Sequence, residues 1–146
     1  MEIPTHSSLI LNNYSRCFGK ELVMRGPEEA EALMDAPFVV LSHGTEDDPI
    51  FNYGNLAAQK LFGMDWSALT ALPSRCSAEP MHRAERERLL KNVRERGFSD
   101  TYSGVRVSAS GQRFRVSGAK IWMLLDATGA TVGQAATFSE WEMLDE

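Results

Sequence analysis

The sequence has few cysteines, no excess of positive charge and no long apolar run. Cys17 and Cys76 lie far apart and in no metal-binding spacing, which favours a reducing, cytoplasmic location. Fifteen basic and twenty acidic residues give a formal charge of −5. This balance argues against a nonspecific nucleic-acid binder, which needs a basic surface. No apolar run approaches the roughly 20 residues of a membrane helix, so we expect no membrane contact.

Low-complexity tracts, internal repeats and a secretory signal are also missing. The first residues lack a basic region followed by an apolar core, which a signal peptide requires. With 146 residues and 43% hydrophobic content, the chain is long enough for one folded domain. A domain of this size buries roughly two thirds of its unfolded surface. It therefore needs neither a disulfide nor a structural metal.

A hairpin near the C-terminal end is the strongest local pattern. Residues 120–125 are rich in branched and aromatic side chains, residues 126–129 are typical of a turn, and residues 132–138 form a second strand-like run. Because strand side chains alternate between faces, Gln134 shares a face with Ala136 and Phe138. An unpartnered buried carboxamide costs about 1–3 kcal/mol, so we expect Gln134 to be enclosed and hydrogen-bonded to protein or ligand.

The remaining segments predict two N-terminal helices, two further hairpins and a helical middle. Ser7 or Ser8 caps the first helix, Asn55 caps a central one that Gly63 ends, and Gly97 ends the longest. Short connections between strands favour antiparallel pairing. The fold class is therefore α+β, with a five-stranded antiparallel sheet, helices on one face and an N-terminal helical extension. The predicted helices cover residues 8–24, 27–34 and 81–96, with short ones after Asn55 and around Trp66, and the other strands cover residues 38–41, 50–53, 101–108 and 112–116.

This order of elements is similar to that of a PAS domain, and the residues resemble the narrower MEKHLA family. The resemblance covers about residues 5–142 and divides the chain into an extension, 1–36, and a PAS-like domain, 37–146. It implies a stand-alone sensory or protein-interaction module that works as a homodimer or with a partner protein. The matching segments are FVVLSHG, DPIFNYGN, LPSR, SAE and GQAATF, followed by Trp141.

The resemblance also implies a small-molecule pocket between the sheet and the helices, with aromatic walls and a few polar groups. The alternative is that these side chains simply fill the core. The first helix is the expected transmitter or dimer contact, because its apolar stripe, Leu9, Ile10, Tyr14 and Phe18, has to pack across the sheet or against a second subunit. The candidate ligand-binding residues are Phe51, Asn52, Trp66, Arg75, Cys76, Trp122, Gln134 and Phe138.

The cofactor stays open, with flavin and haem as alternatives. PAS-type blue-light receptors carry a reactive cysteine before a long helix, where this chain has Cys76, and Gln134 occupies a plausible flavin-facing position. However, residues 73–79 lack the usual Gly-Arg-Asn-Cys-Arg-Phe-Leu-Gln signature. Met123 also stands where those receptors have an asparagine, and a thioether cannot replace its two-sided hydrogen bonding.

Catalytic and metal sites are weakly indicated. His43 precedes an acidic loop, and His82 lies three residues before Glu85, but neither group has a third ligand at a recognisable spacing. Ser42, Ser77 and Cys76 have no identifiable base, which an activated nucleophile needs. We therefore expect a non-catalytic module without a metal, the alternatives being a flavin photosensor or a small enzyme of unknown reaction.

Overall fold

The structure is a computed structural model that describes residues 2–79 and 83–144. Among these residues, no helix combines the length and the apolar character needed to cross a membrane. The helices are α1 (Ile3–Phe18), α2 (Glu29–Asp35), α3 (Leu56–Phe62), α4 (Trp66–Leu69), a 3₁₀ helix (Ser74–Ser77) and α5 (Arg83–Arg96). The strands are β1 (Val39–His43), β2 (Phe51–Gly54), β3 (Phe98–Val107), β4 (Arg113–Leu125), β5 (Thr131–Phe138) and β6 (Glu140–Met143).

The strands form one antiparallel sheet in the order β2-β1-β5-β4-β3, and β6 also pairs with β4. The predicted α+β class and the three hairpins are confirmed. The predicted runs 112–116 and 120–125 are parts of one strand, β4. The sheet also has a strand that the prediction missed, because β6 is mostly exposed and only Trp141 within it is half-buried. β6 pairs with the first part of β4, while β5 pairs with the second part. Gly118, with φ 63°, lies between the two parts.

The sheet is apolar on both faces, and a different set of helices covers each. The inner face packs against α3, α4 and α5 through a core that includes Leu41, Phe62, Phe114 and Ile121. The outer face packs against α1 and α2 through a second core that includes Ile10, Leu33 and Trp122, and Trp66 of α4 also packs against this core. The N-terminal extension therefore covers the face opposite the other helices.

The first helix begins and ends earlier than predicted. It starts at Ile3, and Gly19 ends it in the left-handed conformation, with φ 69°, where glycine is favoured. The predicted serine caps are wrong because Ser7 lies inside the helix, where its hydroxyl donates to the carbonyl of Ile3 at 2.8 Å. By contrast, Asn55 caps α3 by accepting from the backbone of Ala58, and Gly63 ends it, as predicted.

Asn13 fixes α1 on the outer face through the backbone of β4. Its Nδ2 donates to the carbonyl of Leu125 at 3.1 Å, and its Oδ1 accepts from the Leu125 N–H at 3.1 Å. The Asn13 side chain is buried, so these bonds form where water cannot replace them. The Trp122 indole N–H donates to the carbonyl of Ile10 at 3.2 Å and adds a further link. The position of α1 is thus set by specific polar contacts as well as by apolar packing.

Glu29 joins α1, α2 and the segment between them. Its carboxylate accepts from the Ser8 hydroxyl at 2.7 Å, from the Arg25 guanidinium at 3.0 Å and from the Gly26 N–H at 3.2 Å. The hydrogen bond with Arg25, followed by those with Ser8 and Gly26, lowers the pKa of Glu29 to about 2. Its stabilising effect is therefore present at neutral pH and is lost as the pH falls below 4.5.

Replacing Asn13 by alanine is expected to lower the free energy of unfolding by about 1–3 kcal/mol, since it leaves the Leu125 backbone without these partners. Thr5 is exposed on the same helix and provides a control, Thr5→Ala, for which a change within about 0.5 kcal/mol is expected. Denaturant titration of both variants measures the difference. Equal losses for the two would contradict the role given to Asn13.

Candidate functional site

A β-bulge in β2 positions the candidate site. Ser42 pairs with Tyr53 and His43 with Phe51, so Asn52 is an extra residue in its strand. The extra residue interrupts the alternation of side chains. Phe51 consequently joins the inner core, while Tyr53 joins the outer core only two residues later. The half-buried Asn52 side chain lies at this irregularity.

A cleft of about 190 Å³ opens beside the bulge, where the start of α1 meets β2 and α4. Asn52 and Trp66, which the sequence predicts as ligand-binding residues, both line it. Tyr53 and Trp66 meet edge to face, with ring centroids 5.6 Å apart and planes at 90°. The His6 ring lies 5.9 Å from Tyr53 and completes an aromatic wall. The full lining is Ile3, His6, Asn52, Tyr53, Trp66 and Thr70.

A chain of hydrogen bonds runs behind this wall from α1 to β2. His6 Nε2 lies 2.8 Å from Ser42 Oγ, and the Ser42 hydroxyl donates to Asn52 Oδ1 at 2.5 Å. His6 and Ser42 are both buried, with 5% and 1% of their surface exposed. Burial lowers the pKa of His6, and the nearby Asn52 side chain opposes this shift in part. His6 is therefore held neutral by its surroundings at neutral pH.

Tyr53 brings an unusual buried hydroxyl to the same region. Among the described residues, its Oη has no partner with hydrogen-bond geometry, although water cannot reach it. Burial raises the pKa of Tyr53 to about 12; the nearby Ser7 hydroxyl opposes this shift, and the charge of Asp35 adds to it. The Ser7 hydroxyl donates to Ile3, and its oxygen does not reach hydrogen-bond geometry with Tyr53 Oη.

The inner and outer cores contain three more of the predicted ligand-binding residues. Phe51 and Phe138 lie in the inner core, 3% and 6% exposed. Trp122 is fully buried on the outer face, where its ring lies 5.0 Å from that of Tyr14. The sheet thus separates Trp122 from Phe51 and Phe138, so these three residues do not line one common pocket.

The other three predicted residues lie apart from the cleft. Gln134 is half-buried rather than enclosed, so water can satisfy its carboxamide. It pairs in register with Met123 on one side and His43 on the other. Arg75 donates from Nε to both carboxylate oxygens of Asp48 at 3.1 Å on the exposed surface, and Cys76 is exposed.

The predicted contact stripe of α1 is covered by the chain's own sheet. Ile10 and Tyr14 are buried in the outer core, and Leu9 and Phe18 are half-buried against it. In this arrangement, a second copy would reach Ile10 and Tyr14 only after α1 moved away from the sheet.

Sequence reasoning missed His6, Tyr53, Thr70 and Ile3 as cleft residues. His6 and Ser42 lie 36 positions apart in the sequence, and no local pattern predicts such a distant contact. The spacing of Phe51 and Tyr53 gave a partial signal. Residues two apart on a regular strand share a face, so these two side chains can be buried on opposite faces only if a bulge lies between them.

The polar residues of the inner face do not fit a flavin. Gln134 has Met123 as its strand neighbour, so the second carboxamide that would bind the flavin ring is missing. Phe62 and Phe114 are fully buried there, with ring centroids 5.3 Å apart, and occupy the space between sheet and helices. Exposed Cys76 adds no inward-facing thiol.

The predicted alternatives for catalysis change in one respect. The structure gives Ser42 the histidine neighbour that the sequence did not identify, but the Ser42 hydroxyl is buried and donates to Asn52. His43 Nδ1 lies 2.9 Å from the carbonyl of Gly44. Within residues 2–79 and 83–144, no three His, Cys, Asp or Glu side chains converge as metal ligands. His82 lies outside the described residues.

His6→Gln is expected to flatten the dependence of stability on pH between about pH 7.5 and pH 5. The pKa of His6 is lower in the folded protein than its ordinary 6.5, so the unfolded chain binds more protons in this range. Stability of the natural sequence should fall as the pH drops from 6.5 towards the folded-state pKa. Denaturant titrations across this range test the point, and an unchanged slope in the variant would contradict it.

Tyr53→Phe is expected to leave the protein as stable as before or to stabilise it, by up to about 3 kcal/mol, because it removes a buried hydroxyl without a partner. Thermal unfolding measures the change. A clear loss of stability would show that the hydroxyl is satisfied in solution.

Comparison with known proteins agrees with this geometry. The fungal blue-light photoreceptor Vivid, in its light-state dimer, is 16% identical with a TM-score of 0.62, over 96% of this chain and 95% of Vivid. The light-oxygen-voltage (LOV) domain of the blue-light-activated histidine kinase EL346 from Erythrobacter litoralis is 19% identical with a TM-score of 0.58, over 75% of this chain and 98% of that domain.

A PAS domain from Colwellia psychrerythraea is 12% identical with a TM-score of 0.63, over 75% of this chain and 91% of that domain. These similarities show a PAS/LOV-like fold. A search of curated proteins gives no match. The family model of the MEKHLA domain matches residues 4–143, nearly the whole sequence. The chain therefore belongs to the MEKHLA domain family.

Proposed function

We propose that this chain is a ligand-responsive sensory module without catalytic activity, in which a small molecule bound in the cleft changes how firmly α1 is docked on the sheet. One observation carries the proposal: the cleft is formed jointly by α1, through Ile3 and His6, and by β2 and α4. A molecule that touches both parts binds the docked arrangement better than the undocked one. Such a difference in affinity is what shifts a conformational population.

The contacts of α1 support a two-state element. The bonds of Asn13 with Leu125 and of His6 with Ser42 are specific in position, so they are made together or lost together. Undocking would expose the apolar residues Ile10 and Tyr14, which a new partner surface would have to cover. The docking of α1 can therefore act as a switch, in which α1 contacts the sheet of its own chain in one state and another protein in the other.

We propose a second copy of this chain as the partner that covers released α1, through Leu9, Ile10, Tyr14 and Phe18. The light-state dimer of Vivid, which shares the fold, is consistent with this proposal. Dimerisation and ligand occupancy would then oppose each other, because the ligand stabilises the docked helix.

The absence of catalysis in the proposal is supported by the state of the serine next to His6. Nucleophilic catalysis needs a hydroxyl that reaches its substrate and passes its proton to the base. Ser42 is 1% exposed, and its hydroxyl donates to Asn52 instead. The pair therefore acts as a structural link between α1 and β2.

Cys17 provides a native probe of α1 docking. It lies in the last turn of α1, half-buried, and its thiol contacts the carbonyl of Gly97 at 3.8 Å. In a Cys76→Ser background, Cys17 is the one remaining thiol. Its rate of alkylation by iodoacetamide is expected to rise about 5- to 150-fold in Asn13→Ala, which corresponds to a docking loss of about 1–3 kcal/mol.

Thr5→Ala, at an exposed position of the same helix, is the control in this background and should leave the rate unchanged. A compound shown to occupy the cleft should slow the alkylation of Cys17. If such a compound bound without changing the rate, the proposed coupling between cleft and α1 would be wrong.

A further inference from the structure

The charge of the cleft restricts what it can bind. None of its six lining residues carries a carboxylate, an ammonium or a guanidinium group, and burial keeps His6 neutral. A charged ligand would lose its hydration on entry, and no charge on these six residues would compensate for the loss. The lining therefore favours an uncharged molecule.

Size and shape restrict it further. Sites for drug-sized ligands enclose roughly 300–1,000 Å³, whereas this cleft encloses about 190 Å³. Trp66 supplies the accessible aromatic surface of the cleft, because Tyr53 behind it is fully buried and His6 is only 5% exposed. The flat indole face favours a planar aromatic guest over a bulky aliphatic one. There is room for one substituted ring.

Asn52 determines which polar group the ligand must carry. Its Oδ1 accepts the hydroxyl proton of Ser42. Its two Nδ2 protons have no acceptor among the residues that the structure describes, and Asn52 is half-buried at the cleft. A donor placed at the edge of an aromatic site selects a guest that carries a hydrogen-bond acceptor.

We infer that the cleft binds an uncharged, planar, single-ring compound that offers a hydrogen-bond acceptor to Asn52 Nδ2. This inference rests on the proposed sensory function and names the ligand class of that site. Amides and ketones attached to one aromatic ring belong to this class.

The hydrogen bonds that join Asn52, Ser42 and His6 explain how a bound guest affects the docking of α1. Ser42 has one hydroxyl proton and gives it to Asn52, so His6 must donate from Nε2 to Ser42, and its proton lies on Nε2. A guest that accepts from Asn52 Nδ2 keeps Oδ1 turned towards Ser42. It thereby stabilises the hydrogen bonds that run from Asn52 through Ser42 to His6, and with them the docked position of α1.

Three simple probes separate the requirements of this inference. Benzamide is planar, uncharged and carries an acceptor; benzoate is its charged counterpart; cyclohexanecarboxamide keeps the amide but is not planar. By NMR titration of the ¹⁵N-labelled full chain, benzamide should shift the Trp66 indole N–H and bind at least about tenfold more tightly than either of the others. The ¹⁵N spectrum of the His6 ring should show the Nε2–H tautomer both without and with benzamide.

Two variants locate the binding. Trp66→Leu removes the accessible aromatic ring, and Ile3→Trp fills the cleft mouth from an exposed position. Both should abolish the benzamide shifts of the remaining cleft signals, such as the Thr70 backbone amide. Trp141→Leu removes another half-buried indole, one that packs on Phe138 away from the cleft, and should leave binding intact. Binding that survives both cleft variants would place benzamide elsewhere and overturn the inference.

Different results would overturn the ligand class and the coupling of the cleft to α1. Benzoate or cyclohexanecarboxamide binding as tightly as benzamide, with slower alkylation of Cys17, would overturn the ligand class and leave the sensory function standing. Selective binding of benzamide in the cleft with an unchanged alkylation rate would support the ligand class and overturn the coupling to α1.

Discussion

A strand with two apolar faces sets the main constraint on this fold. In β4, Ile121 faces the inner core while Trp122 and Leu124 face the outer core, and all three are buried. A sheet of this kind is stable only when both faces are covered. Helices α3, α4 and α5 cover one face, and the other would meet water without α1. The N-terminal helix is therefore part of the folded core.

This constraint explains why α1 is held by polar bonds as well. Apolar packing alone tolerates sliding, since one aliphatic contact replaces another at little cost. Buried polar groups are less forgiving, because a shift leaves them without partners. Asn13 and His6, seven positions apart on α1, bind two different strands of the sheet, at Leu125 in β4 and Ser42 in β1. Together they fix the position of α1 along the sheet.

Local sequence signals predicted the parts of the fold that depend on local chemistry. The hairpin turns and the Asn55–Gly63 helix require particular residue types at particular places, and those residues were readable. β6 was missed because its exposed acidic residues look like a loop. Its pairing depends on the length of β4 and the break at Gly118, which no pattern within residues 140–143 contains.

The site was harder to predict because it depends on register. Alternation alone placed Trp122 and Met123 on opposite faces, but only the observed pairing of Met123 with Gln134 assigns Gln134 to the face away from Trp122. The bulge at Asn52 then separates Phe51 from Tyr53. One predicted pocket is thereby divided between two cores, and Asn52 and Trp66 meet His6 from the distant N-terminal helix.

The position of the cleft bears on how a signal would travel. In many regulated proteins, an effector site and the responding element lie far apart, and the coupling has to pass through packed side chains. Here the responding helix contributes part of the cleft wall itself, and His6 joins α1 to β1 through one hydrogen bond. A molecule in the cleft would change the stability of helix docking directly. The energy available for the response is then the difference in its contacts with the docked and undocked states, which depends on the few residues at the bulge.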